Sequence, residues 1–223
     1  HSSTAKLYKS SGTINFTGGT FEVKAQYPSA NNHAIQINSG VTVNANKNHL
    51  TVLDPSGENM YMDLNGKTLG KMTIANSGSY TVYARDNFTL LGNLTVNSGA
   101  SLESMTSAGD ITLNGKNFKN LGGTFDLNSS DITFSGSSDV TCGAIISNGA
   151  GTLVMNKNSN KTLTLTGDVE LKKITLTNGL ILPDGNDLTI RNSSPGSVSS
   201  YVAGPIIFSC QSVSSEVCLP TGK

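Results

Sequence analysis

Leu94-Thr95-Val96-Asn97-Ser98-Gly99 contains the pattern that decides the fold of this chain. In an extended segment, Leu94 and Val96 fall on one side and Thr95 on the other. Asn-Ser-Gly then ends the strand, because Asn tolerates a left-handed conformation and Gly adopts positive φ without a steric cost. Moving outward, the same device recurs at Val41-Thr42-Val43, Leu50-Thr51-Val52, Met72-Thr73-Ile74, Ile111-Thr112-Leu113, Ile132-Thr133-Phe134, Leu163-Thr164-Leu165, Ile174-Thr175-Leu176 and Leu188-Thr189-Ile190. Turn residues such as Asn114-Gly115, Ser135-Gly136, Thr166-Gly167 and Asn178-Gly179 follow most of these triplets. Many short strands with one buried face, and no helical stretch between them, are the signature of a β solenoid.

Repeat spacing refines this. Thr51, Thr73 and Thr95 recur at an even interval; Thr112 to Thr133 is one position shorter, and Thr152 to Thr175 one position longer. We therefore expect an all-β, right-handed parallel β-helix with coils of about 20–23 residues; the hand follows from the strong preference of parallel crossovers. Stacked coils would line their apolar residues into inner ladders and place Thr51, Thr73, Thr95, Thr112, Thr133, Thr152 and Thr175 in an outer structural Thr ladder. The expected organisation is a less regular set of strands or first coils over 1–35, coils over 36–192, and a strand-and-loop segment over 193–223. The change of character after Ser193, with no polar cap before Lys223, leads us to expect truncation from a longer chain, since a bare solenoid end requires further chain or a partner.

Composition supports a slender, polar body. Of 223 residues, 36% are hydrophobic and only 13% charged, so the polar mass is Asn, Ser, Thr and Gly rather than a disordered polyelectrolyte. A solenoid has a thin core, and few apolar residues per coil suffice. Lys+Arg and Asp+Glu balance at 15 each, and only Arg85 and Arg191 are arginines. Nucleic-acid binding needs a basic footprint that this balance does not supply. No apolar run reaches the length of a membrane helix, so no membrane insertion is expected. Cys142 sits at an inward strand position and reads as core. Cys210 and Cys218, close together near the C-terminus, form a candidate disulfide in an oxidising compartment; two buried thiols are the alternative.

From Asn93 onward the order of motifs is specific. Ile111-Thr112-Leu113-Asn114-Gly115 is followed by Phe118-Lys119-Asn120-Leu121-Gly122-Gly123-Thr124-Phe125 and Ile132-Thr133-Phe134-Ser135-Gly136. Lys161-Thr162-Leu163-Thr164-Leu165-Thr166-Gly167 then leads through Leu171–Leu182 to Asn186-Asp187-Leu188-Thr189-Ile190. Ser200-Tyr201-Val202-Ala203-Gly204-Pro205 and Leu219-Pro220-Thr221-Gly222-Lys223 close the series. From Asn93 to Lys223 this resembles the repetitive β-helical modules of large secreted, adhesin-like surface proteins of Bacteroidetes-type bacteria. The resemblance implies export to the cell surface, often by the type IX route, and a stalk or adhesin module. It brings no catalytic residues and no cofactor. The pair Cys210 and Cys218 departs from it.

Other chemistry has weaker support. β-Helices also host polysaccharide lyases and hydrolases, whose sites need convergent carboxylates. Asp110 and Asp131, one coil apart, could share one edge, but an Asp before an apolar strand start reads as turn chemistry. Asp184-Gly185-Asn186-Asp187 lacks the continuation of a calcium loop. His33 and His49 have no metal-ligand spacing. Tyr61, Tyr80 and Tyr83 could form a sugar-stacking platform, although Tyr80 and Tyr83 cannot both face outward on one straight strand. Ice binding would require two Thr columns side by side on one flat face. The sequence thus reads as a non-enzymatic cell-surface structural or adhesin module, a stalk or filament repeat. Its expected partners are neighbouring domains or copies stacked at the solenoid ends, with glycans as a further candidate. The alternative is a polysaccharide-binding or -cleaving β-helix, and ice binding ranks below both.

Overall fold

The computed structural model describes residues 7–16, 18–24, 33–45, 49–53, 59–75, 80–105, 109–146, 151–158, 160–193 and 200–208. It is an all-β solenoid, with no helix among the described residues. Every strand pairing runs parallel, coil on coil, with no antiparallel pair among these residues. Three columns of strands emerge. The first face stacks Leu7–Lys9, His33–Ile37, Met60–Asp63, Val82–Ala84, Ser101–Ser104 and Thr124–Asp126. The second carries Thr68–Leu69, Phe88–Leu90, Ile111–Asn114, Asp131–Gly136 and Thr152–Lys157. The third runs from Thr20–Lys24 through His49–Leu53, Lys71–Ile74, Leu94–Val96, Phe118–Asn120, Val140–Cys142 and Thr162–Leu165.

The apolar partners of each triplet form the expected inner ladders. On the third face Leu50, Met72, Leu94, Phe118, Cys142 and Leu165 pair in register, one per coil. On the second face Phe88, Ile111, Ile132, Leu153 and Ile174 do so. Met60, Val82, Leu102 and Phe125 complete the first face. All of them are buried in a single core. Each contributes on the order of 1.5–3 kcal/mol by leaving water, and no coil could bury them without its neighbours. Phe118 and Phe125 meet inside with ring centroids 4.5 Å apart, tilted at 42°.

Coil length varies more than the Thr spacing suggests. Leu50 faces Met72 and Met72 faces Leu94, two equal steps that match the interval from Thr51 to Thr73. Phe21 faces Leu50, a longer step. Leu163 faces Ile181, a shorter one. In that coil one unbroken strand, Val169–Leu182, pairs in turn with Ile145–Ile146, with the second-face Thr152–Lys157 and with the third-face Thr162–Leu165. The stacked strands begin at Leu7–Lys9 and reach Ile207–Phe208, whose Ile207 pairs with Thr189.

Corners are held by short polar side chains. At Leu64-Asn65-Gly66-Lys67 the Lys67 N–H donates to the Leu64 carbonyl at 3.0 Å. Asn65 (φ 47°) and Gly66 (φ 71°) both lie in the left-handed region, a type I′ turn that few other residue pairs adopt. Asn65 Nδ2 then donates to the Ile37 carbonyl of the preceding coil at 2.8 Å.

Candidate functional site

The outward Thr residues divide between two faces. Thr51, Thr73 and Thr95 pair in register on the third face, and Lys119 takes the next rung. Thr112, Thr133 and Thr175 belong to the second face, where Thr68 and Thr89 precede them and Val154 occupies the rung between Thr133 and Thr175. Thr152 stands outside both columns, in register with Asp131 on one side and Lys173 on the other. The second-face Thr column is flanked by Asn114, Ser135, Asn156 and Asn178. The row on its other side holds Asp131, Thr152 and Lys173, so the paired Thr columns that ice would require do not run along it.

The scattered Asp and Asn residues hold the corners. A parallel ladder leaves N–H groups without a partner where strands begin, and a short acceptor on the neighbouring coil satisfies them. The Asp110 N–H donates to Asn87 Oδ1 at 3.0 Å, and the Asp131 N–H to Asp110 Oδ1 at 2.9 Å. On another edge the Asn117 N–H donates to Asn93 Oδ1 at 3.2 Å and the Thr141 N–H to Asn117 Oδ1 at 2.9 Å. Asp139 takes the Thr162 N–H and Asp168 the Asp187 N–H, each at 2.9 Å. In each pair the Asn or Asp acceptor sits on the earlier coil and the donor on the later one. Asp131's carboxyl is raised above the usual carboxylate range, first by burial and further by Asp110; Thr152 and Lys173 oppose this. Asp184 (φ 52°) and Gly185 (φ 83°) form a turn closed by the Asn186 N–H on the Pro183 carbonyl at 3.1 Å.

The densest chemistry lies on the first face. Tyr61 and Tyr83 are in register on consecutive coils, outward and half-buried. Their rings stack with centroids 5.3 Å apart and planes 18° apart. That separation exceeds close face-to-face contact of roughly 3.5 Å, so the two rings are stacked loosely rather than pressed together. The Arg85 guanidinium lies over the Tyr61 ring, 5.6 Å from its centroid, and its Nε is 3.7 Å from Asp63 Oδ1. Glu103 continues the tyrosine column as the register partner of Tyr83, and Asp126 follows Glu103. Thr81 Oγ1 donates to Ser101 Oγ at 3.3 Å along the adjacent column. Burial and then Asp126 raise the Glu103 carboxyl; burial and then Glu103 raise the Tyr83 hydroxyl. Tyr80, half-buried, precedes the strand and is not part of the stack.

Other singled-out residues fall elsewhere. Cys142 is a free, fully buried thiol in the third-face ladder, and burial pushes it up. Cys210 and Cys218 lie outside the described residues. His49 Nε2 is 2.7 Å from Thr73 Oγ1 on the third face. Sequence reasoning did not find Lys157, which is 1% exposed and donates from Nζ to the Ser135 carbonyl at 2.9 Å. It is in register with Gly136, and a Cβ on Gly179 would stand 3.2 Å from its own Cβ. Its signal was the inward phase of Leu153, Met155 and Lys157. Asp63, Arg85 and Glu103 were missed as a group because only strand register brings them to Tyr61 and Tyr83. Among the described residues no group of three or more His, Cys, Asp or Glu is placed to hold a metal ion. Comparison with protein-family models, curated proteins and solved structures found no match.

Proposed function

We propose that this chain is a non-enzymatic structural module of the cell surface, a stalk or filament repeat that presents a binding face away from its anchor. The observation that carries the reading is the continuity of the stack. Third-face strands follow one another in register from Thr20–Lys24 to Thr162–Leu165, and side chains carry the hydrogen bonding around the corners. Bending such a body lengthens the coil-to-coil bonds on its convex side, which makes it stiff. With net charge near zero it offers little net electrostatic attraction to charged surfaces. Polysaccharide cleavage along the first face is less favoured. Asp126, the neighbour of Glu103, is 6% exposed and its Oδ1 accepts the Asn128 N–H at 2.8 Å, so it serves a turn.

The test combines shape and location. Small-angle scattering of the intact chain should give the cross-section of a rod rather than a sphere. Antibodies raised against it should label intact cells of the producing organism. Labelling only after lysis would overturn the surface assignment, and a compact globular scattering profile would overturn the stalk.

A further inference from the structure

Resting on the surface-module reading, we propose that the first-face patch of Tyr61, Tyr83, Arg85, Asp63, Glu103 and Thr81 is a binding site for an uncharged saccharide. Three outward columns meet there. Successive rungs are about 4.8 Å apart, and alternate residues along a strand roughly 6.6 Å apart, so the patch measures on the order of 13 Å across, enough for one or two sugar rings. A pyranose offers an apolar C–H face with hydroxyls around its rim. The two stacked tyrosines are only half-buried and offer aromatic surface to the C–H face. The guanidinium of Arg85 is a planar double donor, positioned by the mostly buried Asp63 carboxylate, and the Glu103 carboxylate is an acceptor that suits a neighbouring hydroxyl. Thr81 adds a group that can serve either way.

The charges narrow the ligand class. A polyanion would meet Asp63, Glu103 and, behind it, Asp126; a polycation would meet Arg85. A neutral ligand with many hydroxyls can use donors and acceptors together. The groups are also fixed in advance: Tyr61, Tyr83, Asp63 and Glu103 stand on strands, and Arg85 is held between Asp63 and the Tyr61 ring. That reduces the ordering cost of binding.

The experiment is a screen of the intact chain against immobilised neutral gluco-, galacto-, manno- and xylo-oligosaccharides, followed by titration of the best binder. The chain has no Trp and six Tyr, so tyrosine fluorescence follows binding, and a signal change that is lost in Tyr83→Ala belongs to the site. We expect saturable binding that Tyr83→Ala weakens about tenfold or more and Tyr83→Phe leaves within about threefold. Arg85→Lys should also weaken it, because the planar fork is lost. Thermal unfolding of each variant separates a lost site from a lost fold. The proposal is overturned by absence of binding at about 10 mM saccharide, or by binding that Tyr83→Ala and Arg85→Lys leave unchanged. Binding only to a basic peptide or a sulfated glycan would overturn it too. If the rod-like scattering and surface labelling persist in those cases, only the saccharide site falls.

Discussion

The Asp131 N–H donates to Asp110 Oδ1 at 2.9 Å, so a carboxylate on one coil holds the backbone of a carboxylate-bearing residue on the next. Two acids one coil apart thus act as structural neighbours, with the acceptor oxygen of one filling a gap in the ladder of the other.

Asp110→Asn should therefore be nearly silent, because the amide oxygen still accepts the Asp131 N–H. Asp110→Ala should lose about 1 kcal/mol, the net value of a part-exposed hydrogen bond. Urea midpoints report the loss. Amide exchange should quicken first at Asp131 and its neighbours on adjoining coils, since solenoids open locally.

Asp131 gives a pH dependence of defined sign. Its carboxyl is raised in the folded chain, mainly by burial. The native state then holds more protons than the unfolded state between the two pKa values, and stability falls as pH rises through that window, from the ordinary carboxylate range upward. Asp131→Asn removes this effect while keeping an acceptor for Thr152. The variant should gain most over the parent at neutral pH and least near pH 3 (melting temperatures at both values check this). A gain larger in acid would contradict the assignment.

How much of this was legible from the sequence depends on distance along the chain. Leu94-Thr95-Val96 declares its inward and outward residues because strand alternation is local, and the turn after it is equally local. The step from Asp110 to Asp131 matched a coil, and both do share an edge. The Thr ladder did not transfer so directly. Coil steps range from the short one between Leu163 and Ile181 to the long one between Phe21 and Leu50. Linear spacing therefore cannot show that Thr95 and Thr112 occupy different faces, or that Val154 rather than Thr152 follows Thr133. The first-face patch is invisible to spacing for the same reason. Tyr61 meets Tyr83 only through register, and Arg85 reaches Tyr61 and Asp63 from the following coil.

Lys157 is a buried cation whose stability effect has the opposite slope. Burial lowers it; Asp139 opposes and Lys161 adds to the lowering. The unfolded chain binds the proton more readily, so native stability rises as pH climbs from the depressed folded value towards the ordinary lysine value. Lys157→Met replaces the amine with an apolar chain of similar reach. It should equal or exceed the parent in urea midpoint at pH 7, and the margin should shrink by pH 10. A large loss at pH 7 would show that the Nζ contact with the Ser135 carbonyl outweighs desolvation.

Cys142 should be chemically silent in the native protein, because its thiol is wholly buried and burial raises it. Alkylation by iodoacetamide, located by peptide mass spectrometry, should be on the order of 100-fold slower at Cys142 natively than in denaturant. Ready native labelling at this position would mean that the third-face ladder opens.

The shared sense of six contacts at strand starts has a consequence for biogenesis. Asn87, Asn93, Asp110, Asn117, Asp139 and Asp168 each offer an oxygen to a residue that comes later in the chain. At these positions a polypeptide emerging with its amino end in front can wind like thread onto a spool, because the finished loop already displays the receptor that seats the next strand start.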